Sequence, residues 1–186
     1  MTVTRPRAVQ AAIILALVGG GALTALASIV GVGGNVVELT LNNVCQDQNQ
    51  SNASIRAFDE NQCVTLKDDL VTDQGVIPAG TEVSCHIARF DPANPPLTRQ
   101  GGIVFDAPII GVISTSADLN ASDDPCGLDT TTYCQEDFRG LEPTQADAYQ
   151  RVGECGLKVK MEVTDFQDQV RIITECCPDG EDCCED

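Results

Sequence analysis

From residue 35 onward the chain alternates apolar and polar positions with a period of two. Val37, Leu39 and Leu41 alternate with Glu38, Thr40 and Asn42, and Leu157, Val159, Met161 and Val163 with Lys158, Lys160 and Glu162. Successive side chains of a strand point to opposite faces, so each run predicts a strand with one face buried. Further strand candidates are residues 54–58, 63–66, 81–90, 102–105, 109–114 and 169–174. Turn chemistry separates them at Asp73-Gln74-Gly75, Pro78-Ala79-Gly80 and the Pro-rich run from Asp91 to Pro96. About eight short strands with regular punctuation predict an all-β fold: a single antiparallel β-sandwich or jelly-roll-like domain. The one helical signal in this part of the chain, residues 143–149, is weak. Residues 118–136 read as a long loop, and Cys176 to Asp186 as an acidic, cysteine-rich tail without strand pattern.

Upstream of residue 35 the alternation gives way to an uncharged apolar stretch, Ala8 to Gly34, preceded by Arg5 and Arg7. A positive start, an apolar core over residues 11–23 and the small-residue triplet Ala25-Leu26-Ala27 predict a signal peptide over residues 1–27, cleaved before Ser28. One alternative is a hydrophobic anchor helix retained to about residue 34, since a spanning helix needs about 20 residues. Gly19, Gly20 and Gly21 count against it. A second is a prepilin leader cut between Arg7 and Ala8, which Gln10 and the same glycines fit poorly. The organisation expected is therefore a leader over 1–27, a domain over 28–175 and a tail over 176–186.

Composition narrows the partners. The formal charge is −17 across 186 residues, and two of the few cations lie in the leader. Such a surface repels nucleic acid and anionic membrane, so nucleic acid is excluded and membrane contact is expected only through an uncleaved N-terminal segment. The ten cysteines are Cys45, Cys63, Cys85, Cys126, Cys134, Cys155, Cys176, Cys177, Cys183 and Cys184. An even number in an exported chain predicts disulfides, with Cys126–Cys134 the likeliest local pair. Asn49, Asn52 and Asn120 head N-x-Ser/Thr sequons and are candidate glycosylation sites, or else plain polar loop residues.

An ordered series of segments runs through the middle of the chain. It comprises Phe58-Asp59-Glu60-Asn61-Gln62 with Val64-Thr65-Leu66, Ile77-Pro78-Ala79-Gly80-Thr81-Glu82-Val83, Phe90-Asp91-Pro92 and Gly102-Ile103-Val104-Phe105-Asp106. Pro108 to Ile113, Ala121-Ser122-Asp123, Arg139-Gly140-Leu141-Glu142, Asp168 and Val170 to Thr174 complete it. Over about residues 55–175 the chain resembles a recurring exported β-rich domain of bacteria, often found in proteins carrying a PEP-CTERM sorting tail. The resemblance implies an exported, β-rich cell-surface or extracellular domain with no assigned chemistry. The chain departs from it in ending on Cys-Cys-Pro-Asp-Gly-Glu-Asp-Cys-Cys-Glu-Asp rather than a sorting tail, and in its added cysteines.

Candidate chemistry is sparse. His86 is the only histidine, which excludes a histidine-based triad and a multi-histidine metal site. It shares a strand face with Glu82, Ser84 and Ala88 and reads as a structural residue bonded to a carboxylate or backbone group. Cys176, Cys177, Cys183 and Cys184 offer four thiolates, and a soft metal is the alternative to disulfides there. Asp91, Asp106, Asp123 and Asp124, at strand ends and loops, read as turn caps, with Ca²⁺ ligation the alternative. Arg139 and Glu142 are expected to pair with Arg171 or Asp168, tying the late loop to the last strand.

The function expected is an exported, non-catalytic surface or extracellular-matrix structural protein, secreted or at the cell surface, without cofactor and with self-association or surface components as partners. A calcium- or glycan-binding module and a membrane-anchored shell or filament subunit are the alternatives.

Overall fold

In a computed structural model of the chain, residues 28–142, 145–177 and 184 are described. The expected leader and most of the expected tail lie outside them. Among the described residues no helix is long and apolar enough to cross a membrane.

The fold is all-β, built on two packed sheets. The smaller sheet has the order β1 (Ile29–Gly34), β8 (Leu97–Phe105), β11 (Gly156–Val163), β10 (Ala148–Val152). The larger has the order β2 (Val36–Glu38), β3 (Ile55–Asp59), β7 (Glu82–Phe90), β12 (Asp168–Glu175), β9 (Ile109–Ile113), with the short β4 (Val64–Thr65) also on β7. A separate hairpin of β5 (Leu70–Thr72) and β6 (Gly75–Ile77) lies outside both sheets. Its turn is the expected Asp73-Gln74-Gly75, where Gly75 takes φ 137°, a region that L side chains rarely enter. Most pairings are antiparallel; β2 with β3 is parallel.

Alternation places the core between the sheets. Leu157, Val159, Met161 and Val163 of β11, with Ile103 and Phe105 of β8, meet Ala88 and Phe90 of β7 and Val170 and Ile172 of β12. This is the face-to-face packing of a sandwich, each inner face contributing every second residue. The two sheets differ on their outer sides. Lys158 on β11 points to solvent, whereas β7 and β12 are buried on both faces. A second layer covers the outer side of the larger sheet. Leu119 and Cys126 of helix α1 (Ser116–Cys126) and Leu70 and Ile77 of the hairpin pack there on Val83, Cys85, Ile113 and Ile173.

Three elements depart from the sequence expectation. Ile29–Gly34, within the span of the retained-anchor alternative, is the edge strand β1, pairing with β8 from Ile29↔Phe105 to Gly34↔Gly101. Close approach there requires glycine: a Cβ on Gly101 would lie 2.3 Å from the Gly33 carbonyl oxygen and 2.6 Å from Val36 Cγ2. The start of the described chain is gripped by Asp106, whose Oδ1 accepts from the Ser28 backbone N–H at 2.6 Å and whose Oδ2 accepts from the Ser28 hydroxyl at 3.1 Å. Within the expected loop 118–136 the structure instead has α1. Thr115 caps it, its hydroxyl oxygen accepting from the Asp118 N–H at 3.2 Å. Only Leu119, Ser122 and Cys126 of α1 are buried, so the apolar stripe that announces a helix is nearly missing. Finally, residues 145–149 are not helical: Ala148 and Tyr149 open β10, which pairs with β11 in register Ala148↔Lys160.

Candidate functional site

The buried polar groups of this chain are concentrated around β7 and β12. Because both faces of these strands are covered, their polar positions must find partners inside the protein. His86 of β7 is fully buried. Its Nδ1 lies 2.7 Å from Asp59 Oδ1 and its Nε2 lies 3.1 Å from Thr174 Oγ1, with the ring 4.6 Å from that of Phe105. Both ring nitrogens are engaged, and the expected structural histidine is what the geometry shows.

On the outer side of the same sheet stand three buried arginines. Arg171 of β12 donates to both Glu60 oxygens, at 2.6 and 2.8 Å, and to Asp123 at 3.0 Å, Ser122 Oγ at 2.5 Å and the Leu119 carbonyl at 3.1 Å. Burial works against its charge, but Glu60 and Asp123 outweigh that and hold the guanidinium pKa above its ordinary value. Arg139, from the loop after α1, clasps Asp123 at 2.6 and 3.1 Å and donates to Gln169 Oε1 at 2.8 Å. Asp123 therefore bridges two guanidinium groups, in a chain of alternating charge from Arg139 to Glu60. The expected pairing of Arg139 or Glu142 with Arg171 or Asp168 is replaced by this arrangement, because α1 carries Asp123 between the two arginines. Arg89 of β7 pairs with Asp91 and donates to Gln167 Oε1 and to the Cys45 and Gln48 carbonyls, at 2.7 Å each for the carbonyls. Desolvation by burial lowers its pKa to about 10.

Disulfides fasten the second layer to the sheets. Cys85 of β7 is bonded to Cys126 at the end of α1, Cys45 to Cys134, Cys63 to Cys176 and Cys155 to Cys184. Cys177 is disulfide-bonded as well. The local Cys126–Cys134 pair is thus not made. Cys126 faces β7 from within α1, while the chain beyond it turns back toward Cys45, where Val44 N donates to the Thr132 carbonyl at 3.0 Å. The soft-metal alternative for the tail falls with the same pairing, since Cys176, Cys177 and Cys184 hold no thiolate; Cys183 lies outside the described residues.

The remaining candidates separate by position. Asn49 and Asn52 are exposed, and the Asn120 amide is committed, accepting from Arg139 Nη1 at 3.0 Å and donating to the Glu136 carbonyl at 3.0 Å. Of the four aspartates, Asp91 and Asp123 hold arginines and Asp106 holds Ser28. Asp124 lines an open groove of about 480 Å³ between α1 and the segment leading into β5, with Asp68, Asp69 and Asp118. These four do not gather into one site.

A different set of acids does. Glu142, Asp147 and Asp168 place one carboxylate oxygen each within 4.8 Å of one another. Asp168 opens β12 and is fully buried, and no N–H or hydroxyl group reaches either of its oxygens; its neighbours are the Glu142 and Asp147 carboxyls. Burial, then the charges of Asp147 and Glu142, push its carboxyl up to about 10, and burial also raises that of Glu142. Nothing in the sequence joins these residues, which stand on the loop before β10, at its entry and at the start of β12.

No family model, no curated protein and no solved structure matches the chain. What the coordinates define is an all-β, disulfide-bonded domain of two sheets with a polar second layer.

Proposed function

We propose that the chain is an exported, non-catalytic structural domain of a cell surface or extracellular matrix. The observation that carries this reading is the disulfide framework: bonds closing sequence separations of 89, 113, 41 and 29 residues tie the helix to the larger sheet, two ends of that sheet to each other, two loops together, and Cys184 to the β10–β11 turn of the smaller sheet. Bonds of this kind form and persist in oxidising compartments, outside the cytosol. In the chain-entropy model a loop of about 40 residues gains about 4 kcal/mol from closure, and one of about 90 residues slightly more. Such reinforcement suits a protein that must keep its shape unattended outside the cell. The chemistry of the interior points the same way, because the single histidine and the three buried guanidinium groups are engaged in internal bonds. The likeness to exported bacterial β-domains and the strongly acidic composition add to the reading.

Intact mass of the protein secreted by its own host, measured before and after reduction, tests it. The expected mass lacks residues 1–27 and rises on reduction by one hydrogen per cysteine. A full-length mass in the membrane fraction, or free thiols throughout, would overturn it.

A further inference from the structure

The buried acids of this protein are not treated alike. Glu60 and Asp91 each hold a guanidinium group, as a buried carboxylate requires. Asp168 is as deeply buried as Glu60 and has no donor. Its carboxylate faces two more carboxylates instead, Glu142 and Asp147. Three acids converging on one space repel one another when ionised, which is why Asp168 is driven toward its neutral form beside Glu142 and Asp147. The folded chain nevertheless holds them there.

The surroundings are arranged to present oxygen atoms. Asp147 is fixed by two backbone N–H groups, Glu162 N to its Oδ1 at 2.6 Å and Glu142 N to its Oδ2 at 3.1 Å, which leaves each oxygen a second lone pair. Gln145 donates from Nε2 to Glu142 Oε2 at 3.3 Å, while its Oε1 is a buried acceptor without a donor. That amide oxygen is a second acceptor without a donor, two residues before Asp147. We propose that Glu142, Asp147, Asp168 and the Gln145 amide oxygen form a Ca²⁺ site that clamps the β10–β11 hairpin of one sheet to β12 of the other.

Size and chemistry select the ion. Ca²⁺ takes six to eight oxygen ligands at about 2.3–2.6 Å in flexible geometry, so oxygens on opposite sides of it stand about 5 Å apart. The mutual spacing within 4.8 Å fits that span. Mg²⁺ holds its ligands at about 2.0–2.1 Å in a stricter octahedron and keeps several waters, which a site with a buried ligand admits poorly. Sulfur and imidazole are missing from this donor set, which disfavours zinc and copper. The site does not use Asp91, Asp106, Asp123 or Asp124, so it differs from the calcium alternative that the sequence offers. It goes beyond the exported structural role and is tested separately from it.

Thermal unfolding of the oxidised chain, stripped with a chelator and then given Ca²⁺ alone or Mg²⁺ alone at matched ionic strength, decides the matter. At a Ca²⁺ concentration a hundredfold above Kd the expected rise in Tm is about 5–10 °C, with a smaller rise for Mg²⁺. Asp168→Asn keeps the shape of the side chain and the neutral state it has without metal, but removes an ionisable ligand. It is expected to leave the Tm of the metal-free protein close to that of the wild type and to abolish the Ca²⁺ increment. Glu142→Gln serves as a second variant should Asp168→Asn fold poorly, and Asp68→Asn, an exposed acid in the groove, keeps the full increment. An unchanged Tm with Ca²⁺, an increment retained by Asp168→Asn, or an equal rise with Mg²⁺ would overturn the proposal. None of these outcomes alters the mass of the secreted protein, so the exported role stands or falls on its own experiment.

Discussion

Arg171→Met puts the polar second layer to its sharpest test. The arginine is fully buried and neutralises Glu60, itself 2 % exposed, through two short charge-assisted bonds. Methionine fills much of the same volume but leaves Glu60 buried without those two donors. Asp123 keeps Arg139, so the uncompensated charge falls on Glu60 alone. Breaking one side of a buried pair costs about 3–5 kcal/mol, a large share of the roughly 5–15 kcal/mol that holds a domain folded. The double variant Arg171→Met/Glu60→Gln removes both charges, and the loss is expected to shrink by at least about 1.5 kcal/mol relative to the sum of the singles. The chain has no tryptophan, so urea unfolding of the oxidised protein is best followed by far-ultraviolet circular dichroism. A loss below about 1 kcal/mol in the single variant, or strict additivity in the double, would refute the argument that the guanidinium is there to neutralise Glu60.

Other predictions follow from the same framework. Gly101→Ala should destabilise by about 1–3 kcal/mol by driving β1 off β8, whereas Gly33→Ala, whose Cβ meets nothing within 4 Å, should cost under about 1 kcal/mol; urea midpoints compare the two. Replacing Cys85 and Cys126 together by serine should cost about 4 kcal/mol and loosen α1, read as faster amide hydrogen exchange over residues 116–126. Burial, then the neighbouring Asp73, raises the Tyr149 phenol to about 12, and burial followed by Glu60 raises Tyr133 further. These are the only two tyrosines. At about pH 10.5 the folded protein should therefore show almost no phenolate absorbance, and unfolding should bring out both. The sign follows: the unfolded chain loses these protons first, so stability falls as pH rises through about 10.

The sandwich was legible where one face of a strand meets water. β11 alternates Leu, Lys, Val, Lys, Met, Glu and Val because its outer face is solvated, and its limits can be read almost to the residue. β7 and β12 could be recognised as strands, but not as strands buried on both sides. Their Arg89, Arg171 and Gln169 look like an exposed polar face until α1 and the hairpin are laid over them. The helix itself was hidden, since Asp, Asn and Ser dominate it and Pro125 sits within it. β1 was masked by its neighbourhood, because Ile, Val and Gly serve an edge strand as well as the end of an apolar leader. The acid cluster had no local signal at all: Asp168 meets Glu142 and Asp147 only once β10, whose first two residues fall in the weak helical signal, is folded back on β11.

The connectivity of the cysteines has a consequence for how the chain is made. A chain threading into an oxidising compartment from its N-terminus presents Cys45, Cys63 and Cys85 long before their partners Cys134, Cys176 and Cys126 arrive. Oxidation in order of emergence would join Cys45 to Cys63, a bond absent from the native protein, and the spans 45–134 and 63–176 interlock, so no sequential scheme yields both. Thiolate attack on a wrong bridge is the chemistry that corrects it, and left uncatalysed it takes minutes to hours. Under the exported role proposed above, the compartment supplies a reshuffling catalyst along with its oxidant, and a strain lacking a disulfide isomerase is then expected to yield this protein as a mixture of mispaired forms.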